Sequence, residues 1–226
     1  MFTISQSVAV GKLQYRHVGA IASLVLISLL SSLSGLSLHH TISNAWDGLL
    51  WGVADPVLHL DSLVNILGIG LISTGMLHGA IITISFVLAT ILGLSTHLLQ
   101  FSLPGAEIAI AIFCIAFGAM LVMRYQVNWV VVGILGAIAG LFQGYIASQA
   151  INGVEPISLL AYALGMALTQ YTVASSTREI GKNISRETIF AHIPTIIRFL
   201  GFAIVAIGIV LCGNLINAYS ILDFGF

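Results

Sequence analysis

The chain has 226 residues, of which 58% are hydrophobic and only 7% are charged, and its formal net charge at neutral pH is −1. Soluble globular domains carry about 25% charged residues, so this composition excludes an ordinary water-soluble fold. The near-zero net charge also excludes a basic surface of the kind that binds nucleic acid. A mean hydropathy of +1.09 together with 23 glycines predicts a tightly packed bundle of helices in a lipid bilayer.

Runs of about 20 mostly apolar residues, the length that crosses a bilayer as a helix, occupy most of the chain. We predict an all-α fold, a polytopic membrane helical bundle with about seven transmembrane helices in a single integral membrane domain over residues 1–226. The predicted spans are residues 18–38, 57–77, 79–99, 106–123, 129–149, 157–176 and 191–213. Residues 41–54 are too short and too polar to span, and we interpret them as an interfacial or re-entrant piece that ends at Pro56.

The basic residues predict the orientation of the bundle. If the N-terminus is cytoplasmic, all of them fall on or near the cytoplasmic face, as the positive-inside rule requires. They are Lys12, Arg16, Arg124, Arg178, Lys182, Arg186 and Arg198. We interpret residues 1–38 as a retained first helix, since their apolar stretch is long for a signal peptide, and residues 176–190 as a cytoplasmic loop. We expect an integral protein of a bacterial-type inner membrane or of a thylakoid membrane.

The stretch DPVLHLDSLVNIL, which begins at Asp55, carries ionisable side chains into an apolar run. A carboxylate in the middle of a bilayer costs roughly 2.5–3.5 kcal/mol on insertion scales, so such residues are functional candidates. Helical spacing puts Asp55, His59 and Ser62 on one stripe, and Asp61 and Asn65 on a second stripe about a quarter-turn away. Both stripes would line one polar pocket, or they would form a hydrogen-bonded knot that locks helices together; the pattern leaves both readings open.

The fifth predicted span carries small residues and then polar ones. Gly136, Gly140 and Gly144 recur every four residues and predict a seam for close contact with another helix. The outer half of this region adds the polar residues Gln143, Tyr145, Gln149 and Glu155. Because alternating topology places that half on the same side as Asp55, we expect polar groups of the second and fifth spans to converge near the outer face. We interpret the polar residues of the sixth span, which include Tyr162 and Gln170, as hydrogen-bonding partners of neighbouring helices.

The DPVLHLDSLVNIL stretch is similar to the His-Pro and Asp-His motif of the HupE/UreJ family, small membrane proteins associated with hydrogenase and urease loci. Three further stretches match the family in the same order: LPGAE (103–107), GLFQGYIAS (140–148) and LAYALGMAL (160–168). The resemblance covers roughly residues 41–175. It implies the fold of that family and a function as a nickel or cobalt permease, with His, Asp and Glu as the groups that handle the metal.

Pro56 and Asp61 match the family motif, but this chain replaces four of the motif histidines. The replaced positions are Asp55, Ser62, Gln143 and Ala147. Two histidines four residues apart on a helix hold a metal well, which glutamine and alanine do not. Imidazole suits nickel and cobalt, whereas carboxylate and carbonyl oxygens suit harder ions. The resemblance therefore implies a site that is weaker and less selective for nickel than that of the family.

Two functions remain open on this evidence. In the first, a divalent cation is the transported species, no cofactor is bound, and the ion passes from the outer face between the second and fifth spans. Asp55, His59 and Asp61 would bind it, with Gln143 and Glu155 at the mouth. In the second, the protein is an accessory or structural subunit of a larger respiratory or photosynthetic membrane complex, and its apolar faces contact lipid, other subunits or pigment. An enzyme is disfavoured because no nucleophile–base pair or pair of facing histidines has a recognisable spacing.

Overall fold

The fold is a bundle of helices. The computed structural model describes residues 18–32, 34, 42–96, 103, 105–123, 127–149, 151, 154–187 and 193–224. The helices are α1 (Val18–Ser32), α2 (Ala45–Leu58), α3 (Leu60–Ile72), α4 (Gly79–Ser95), α5 (Ala106–Val122), α6 (Trp129–Gln149), α7 (Pro156–Glu187) and α8 (Ile193–Phe224). A single 3-10 turn, Ser73–Gly75, follows α3. No strand occurs in these ranges, so the prediction of an all-α fold is confirmed.

Helix length decides which elements can cross a bilayer. Within the described ranges, α6, α7 and α8 are each long and apolar enough to cross alone, and α2 with α3 forms a bent pair that qualifies as one further span. Helices α1, α4 and α5 are shorter apolar helices. The span count of seven and the cytoplasmic N-terminus stay predictions. Lys12, Arg16 and Arg124, which carry part of the orientation argument, lie outside the described residues, as do most of the last residues of the first predicted span.

The predicted second span, residues 57–77, is not one helix. Asn44 caps the N-terminus of α2, where its side chain accepts a hydrogen bond from the backbone N–H of Asp47 at 2.9 Å. The chain is extended at His59 (φ −92, ψ 115), and α2 and α3 meet there at 77°. The backbone carbonyl of His59 then starts α3 by accepting a hydrogen bond from Leu63 N at 3.0 Å.

The break also corrects two local predictions. Pro56 lies inside α2 and does not end it, because the N–H of His59 bonds the carbonyl of Asp55 at 3.2 Å and closes the last turn beyond the proline. Asp55, His59 and Ser62 therefore do not form one helical stripe, since the first is on α2, the second is in the link and the third is on α3.

Helices α7 and α8 are both longer than predicted. Helix α7 continues through most of the predicted 176–190 loop, and α8 extends to Phe224 instead of ending at 213. The extension of α7 contains good helix formers, and Lys182 Nζ lies 2.6 Å from Glu179 Oε1 in an i, i+3 ion pair. With 32 residues, α7 measures about 48 Å at 1.5 Å per residue. This length exceeds the roughly 30 Å hydrocarbon thickness of a bilayer.

Glycines bring α4 and α6 into backbone contact. A Cβ added at Gly140 would overlap the carbonyl oxygen of Phe86, and one at Gly144 would overlap the carbonyl oxygen of Thr90. Only a residue without a side chain fits at these two positions. The predicted small-residue seam is confirmed at Gly140 and Gly144, whose partner is the backbone of α4, whereas the nearest neighbour of Gly136 is the side chain of Ile69 on α3.

Two other helix pairs pack in the same way. Gly52 of α2 lies against the backbone of Tyr162 on α7, and Gly118 of α5 lies against the backbone of Gly201 on α8. Helix α3 occupies the centre between these pairs, and most of its residues from Leu63 to Leu71 are buried. The bundle thus places the helix that carries Asp61 in its core.

The broken pair advances in one direction along α7. The close approaches, in chain order, are Gly48 to Ser158, Gly52 to Tyr162, Gly70 to Ala174 and Thr177, and Thr74 to Gly181. Both numbers rise together, so α2 and α3 advance in the same direction along α7. A re-entrant loop would reverse this order; the pair instead continues past the break.

Candidate functional site

A cavity of about 120 Å³ lies at the break between α2 and α3, closed by α6 and α7. Its lining includes four of the five residues predicted as ion-handling groups: Asp55, His59, Asp61 and Gln143. Polar groups of the second and fifth predicted spans therefore converge, as the alternating topology predicted. The fifth residue, Glu155, is exposed just before α7 and is not part of the lining, so its place at the mouth stays a prediction.

The same cavity collects the four positions at which the sequence resemblance predicts that a motif histidine is replaced. All four replaced histidine positions line it: Asp55, Ser62, Gln143 and Ala147. Pro56, Ile146 and Met166 complete the wall. The four predicted replacements therefore lie together in one small volume.

Asp55 is held in place from the neighbouring helix. The Tyr162 hydroxyl donates a hydrogen bond to Asp55 Oδ2 at 2.5 Å. Tyr162 is fully buried, and Asp55 is 4% exposed. The close passage of Gly52 over Tyr162 brings α2 and α7 near enough for this bond. One oxygen of this carboxylate is thus fixed by the scaffold at the cavity wall.

His59 is oriented by the break itself. Its Nδ1 lies 3.1 Å from the backbone carbonyl oxygen of Asp55. Because a carbonyl oxygen only accepts hydrogen bonds, Nδ1 carries the proton, and in the neutral ring Nε2 keeps its lone pair. A backbone carbonyl on the far ring nitrogen is a common support for a metal-binding histidine. His59 as a whole is exposed and belongs to the cavity lining.

Asp61 lies in the first turn of α3, where its carboxylate faces the positive end of the helix dipole. The Cys114 thiol of α5 contacts the backbone carbonyl of Asp61 at 3.8 Å, which ties this turn to the neighbouring helix. The side chain is partly buried and belongs to the cavity lining. A carboxylate is therefore presented to the cavity from a rigid helix start.

Gln143 supplies an amide that no described residue satisfies. The side chain is 2% exposed, and neither its Oε1 nor its Nε2 has a hydrogen-bond partner among the described residues. Leaving a buried polar group unpaired costs about 1–3 kcal/mol, so such groups are rare in folded proteins. Because Gln143 lines the cavity, its amide can form hydrogen bonds with a molecule or ion inside the cavity.

The donor set fits a hydrated cation better than a bare one. Among the described residues, no three His, Cys, Asp or Glu side chains lie close enough to hold a metal ion together. The cavity of about 120 Å³ has room for ordered water beside a ligand. Carboxylate and amide oxygens with several retained waters are the surroundings that hard divalent ions prefer.

Two features of this site have no local sequence signal. Tyr162 is paired with Asp55 across a sequence separation of 107 residues, and Met166 enters the lining one helical turn later. Sequence reasoning interpreted the polar residues of this helix as bonds between helices, which is confirmed for Tyr162. Met166 follows Tyr162 by four residues and therefore shares its helix face. This spacing is the one sequence pattern that indicates a position for Met166 at the cavity.

Comparison with protein families gives one assignment. The family described as HupE / UreJ protein matches residues 27–211. Curated proteins and solved structures gave no match. The family match extends beyond the stretches that carry the resemblance and includes every residue of the cavity wall. The chain belongs to the HupE/UreJ family.

Proposed function

We propose that this protein is a divalent cation permease of the inner or thylakoid membrane, and that the cavity at the break between α2 and α3 is its binding site. The observation that carries the proposal is the convergence of Asp55, Asp61 and the unpartnered Gln143 on one small volume in an apolar bundle. Ionisable groups within a membrane are costly and mark ion routes. Discontinuous helices are the usual carriers of such sites in transporters.

In this proposal the whole chain is one membrane domain that crosses the bilayer seven times, with its N-terminus in the cytoplasm. The relative directions of the helices support alternating crossings: α3 runs parallel to α7, and Gly140 and Gly144 of α6 follow Phe86 and Thr90 of α4 in parallel order. The cavity then opens towards the outer face. The cation would meet His59 and Asp61 first and leave through the bundle.

The roles of the residues follow from their surroundings. Asp61 provides a carboxylate, Gln143 an amide oxygen, and His59 its Nε2 lone pair, while Tyr162 fixes Asp55 at the wall. With imidazoles replaced at four positions, we expect nickel and cobalt to be bound weakly and harder ions such as Mn²⁺ or Mg²⁺ to compete well.

The test is uptake into proteoliposomes that contain a metal-sensitive dye, with Ni²⁺, Co²⁺, Mn²⁺ and Mg²⁺ added one at a time. We expect uptake of at least one ion by the native protein and its loss in Asp61→Asn. The matched control is Asp47→Asn, which removes a carboxylate that accepts hydrogen bonds from Ser43 and Asn44, just before α2, and lies outside the cavity lining. Absence of uptake for all four ions, or equal uptake by native protein and Asp61→Asn, contradicts the proposal.

A second candidate is an accessory subunit of a larger membrane complex. The absence of a three-ligand His, Cys, Asp or Glu group in the described part of the chain favours it over a nickel permease. Its test is purification in a mild detergent from the native membrane. A stoichiometric partner protein or pigment supports the accessory role, and migration as a free protein together with cation uptake contradicts it.

A further inference from the structure

A long apolar groove runs along one side of α3, between α1 and α8. Its floor is a stripe of α3 from Leu60 to Leu71, and one of its walls follows α1 from Val18 to Leu29. Each stretch advances by 11 residues, which corresponds to about 16 Å at 1.5 Å per residue. Because the hydrocarbon core of a bilayer is roughly 30 Å thick, the groove is about as long as one leaflet is deep.

The groove is continuous with the apolar outside of the bundle. Its floor residue Leu63 is 0% exposed, whereas Val18 and Leu200 at its sides are 46% and 38% exposed. Next to these sides lie the exposed side chains of Leu26 on α1 and Phe202 on α8, which are outside the groove lining. In a bilayer such apolar helix surfaces contact lipid, so the groove extends the lipid-facing surface inwards to α3.

The width of the groove decides which kind of occupant fits. A volume of about 360 Å³ spread over about 16 Å leaves a channel roughly 5 Å wide. A helix with its side chains is about 10–12 Å across and is too wide for this channel. Carbon atoms of neighbouring groups pack about 3.5–4.0 Å apart, so a single extended hydrocarbon chain fits.

The chemistry of the lining excludes an extended peptide. Thr177 is the one polar side chain among the described residues that line the groove, and its hydroxyl already donates to the carbonyl of Val173 at 2.7 Å. A peptide would bring backbone N–H and C=O groups, each of which costs several kcal/mol when it is left unpaired in an apolar environment. Apolar cavities also stay free of water. The occupant therefore carries no hydrogen-bonding groups along the length of the groove.

We propose that this groove binds one acyl chain of a bilayer phospholipid, which lies between α1 and α8 and packs against α3. The chain supplies the contacts that the apolar stripe of α3 lacks on this side, and it completes the close packing around the central helix. The site goes beyond the proposed cation permease, since the groove and the cavity at the break between α2 and α3 share no lining residue.

The test is photolabelling of the protein in vesicles of phosphatidylethanolamine and phosphatidylglycerol. The vesicles contain a phosphatidylcholine with a diazirine in one acyl chain, and the labelled residues are identified by peptide mass spectrometry. We expect label on the buried Leu63, which a lipid chain touches only from inside the groove. Exposed Phe202 should be labelled in any case and serves as the internal reference. Label on exposed residues alone overturns the proposal, whether the groove then holds another protein segment or stays empty.

A matched pair of variants on α8 tests whether the label on Leu63 depends on the groove. Ala203 and Ala206 are both exposed on this helix, but only Ala203 lines the groove. In Ala203→Phe the ring occupies the groove, so we expect the label on Leu63 to be lost and the label on Phe202 to remain. In Ala206→Phe we expect both labels to remain. Equal labelling of Leu63 in the two variants contradicts the proposal.

A second pair on α1 keeps the comparison decisive if Ala203→Phe does not fold, which its melting temperature in detergent shows. Ala22 and Ala20 are both exposed, but only Ala22 lines the groove. We expect Ala22→Phe to lose the label on Leu63 and Ala20→Phe to keep it. Retention of this label in a folded Ala22→Phe protein overturns the acyl-chain site.

Discussion

Among the described residues, the buried polar side chains of α4 are all hydroxyls, whereas the faces of α6 and α7 that point into the bundle also bury amides. On α4, Thr83 and Thr90 are each 1% exposed, and their hydroxyls donate to carbonyls one turn back, at 3.3 and 3.0 Å. On α6 and α7, Gln143 and Gln170 are as deeply buried, and their amides have no partner among the described residues. A hydroxyl on a short side chain reaches its own helix, whereas a glutamine amide reaches away from it.

In the proposed function, this difference separates polar residues that serve packing from Gln143, whose amide would bind the ion. The buried hydroxyls of α4 destabilise the bundle little, because each is hydrogen-bonded within its own helix. They also allow the close backbone contact between α4 and the glycines of α6. The amides of α6 and α7 are buried without a hydrogen bond, which is destabilising. A ligand or ion that bonds to such an amide offsets this cost. The contrast makes predictions for both regions.

The largest effect is expected in the packing region. Gly144→Val would place a branched side chain against the Thr90 carbonyl, where no space exists. Overpacking costs about 1–3 kcal/mol or more, so we expect loss of the folded protein in a detergent melting assay. Gly133→Ala is the control, because a Cβ there meets nothing within 4 Å. A stable Gly144→Val protein would show that the α4–α6 contact is looser than described.

The next effect concerns the support of the cavity wall. Tyr162→Phe removes the hydrogen bond to Asp55 and leaves a buried carboxylate with one partner fewer. Hydrogen bonds to charged groups contribute about 1.5–3 kcal/mol, so we expect a lower melting temperature and a higher KM for the transported ion. Unchanged values for both would mean that Asp55 does not need this support.

A gain of nickel binding is expected from restoring imidazoles. Gln143→His with Ala147→His places two imidazoles four residues apart on α6, both in the cavity wall. We expect Ni²⁺ affinity, measured by isothermal titration calorimetry, to rise by about tenfold or more, which equals roughly 1.4 kcal/mol. The matched control carries Ile134→His and Ile138→His, an i, i+4 pair on exposed positions of the same helix. Equal gains for both pairs would mean that the cavity adds nothing to binding.

The smallest effect is expected on α4. Thr90→Val removes a hydroxyl whose only role is a bond within its own helix. Hydrogen bonds between side chains in membrane bundles average about 0.6 kcal/mol, so we expect a small decrease in melting temperature and native cation uptake. A large loss of uptake would show that α4 belongs to the ion route and would remove the contrast between the two regions.

Hydropathy predicted most of the helical architecture, because every described helix except α2 corresponds to a predicted apolar span, although α7 and α8 continue beyond theirs. The glycine spacing predicted the α6 seam, since only close backbone contact makes use of small residues every four positions. The break at His59 had no signal of this kind: one extended residue does not disturb the apolar periodicity on either side of it. The convergence of Asp55, Asp61 and Gln143 followed from topology and polarity, whereas the bond from Tyr162 depends on a contact between helices distant in sequence.

The most direct test of the account is an anomalous difference map from crystals of the protein grown with Mn²⁺ or Co²⁺. We predict a peak inside the cavity at the break between α2 and α3, close to the Asp61 carboxylate and the Gln143 amide. Loss of that peak in Asp61→Asn would confirm the assignment. A well-ordered cavity without a peak, or metal found only at exposed histidines elsewhere, would contradict it.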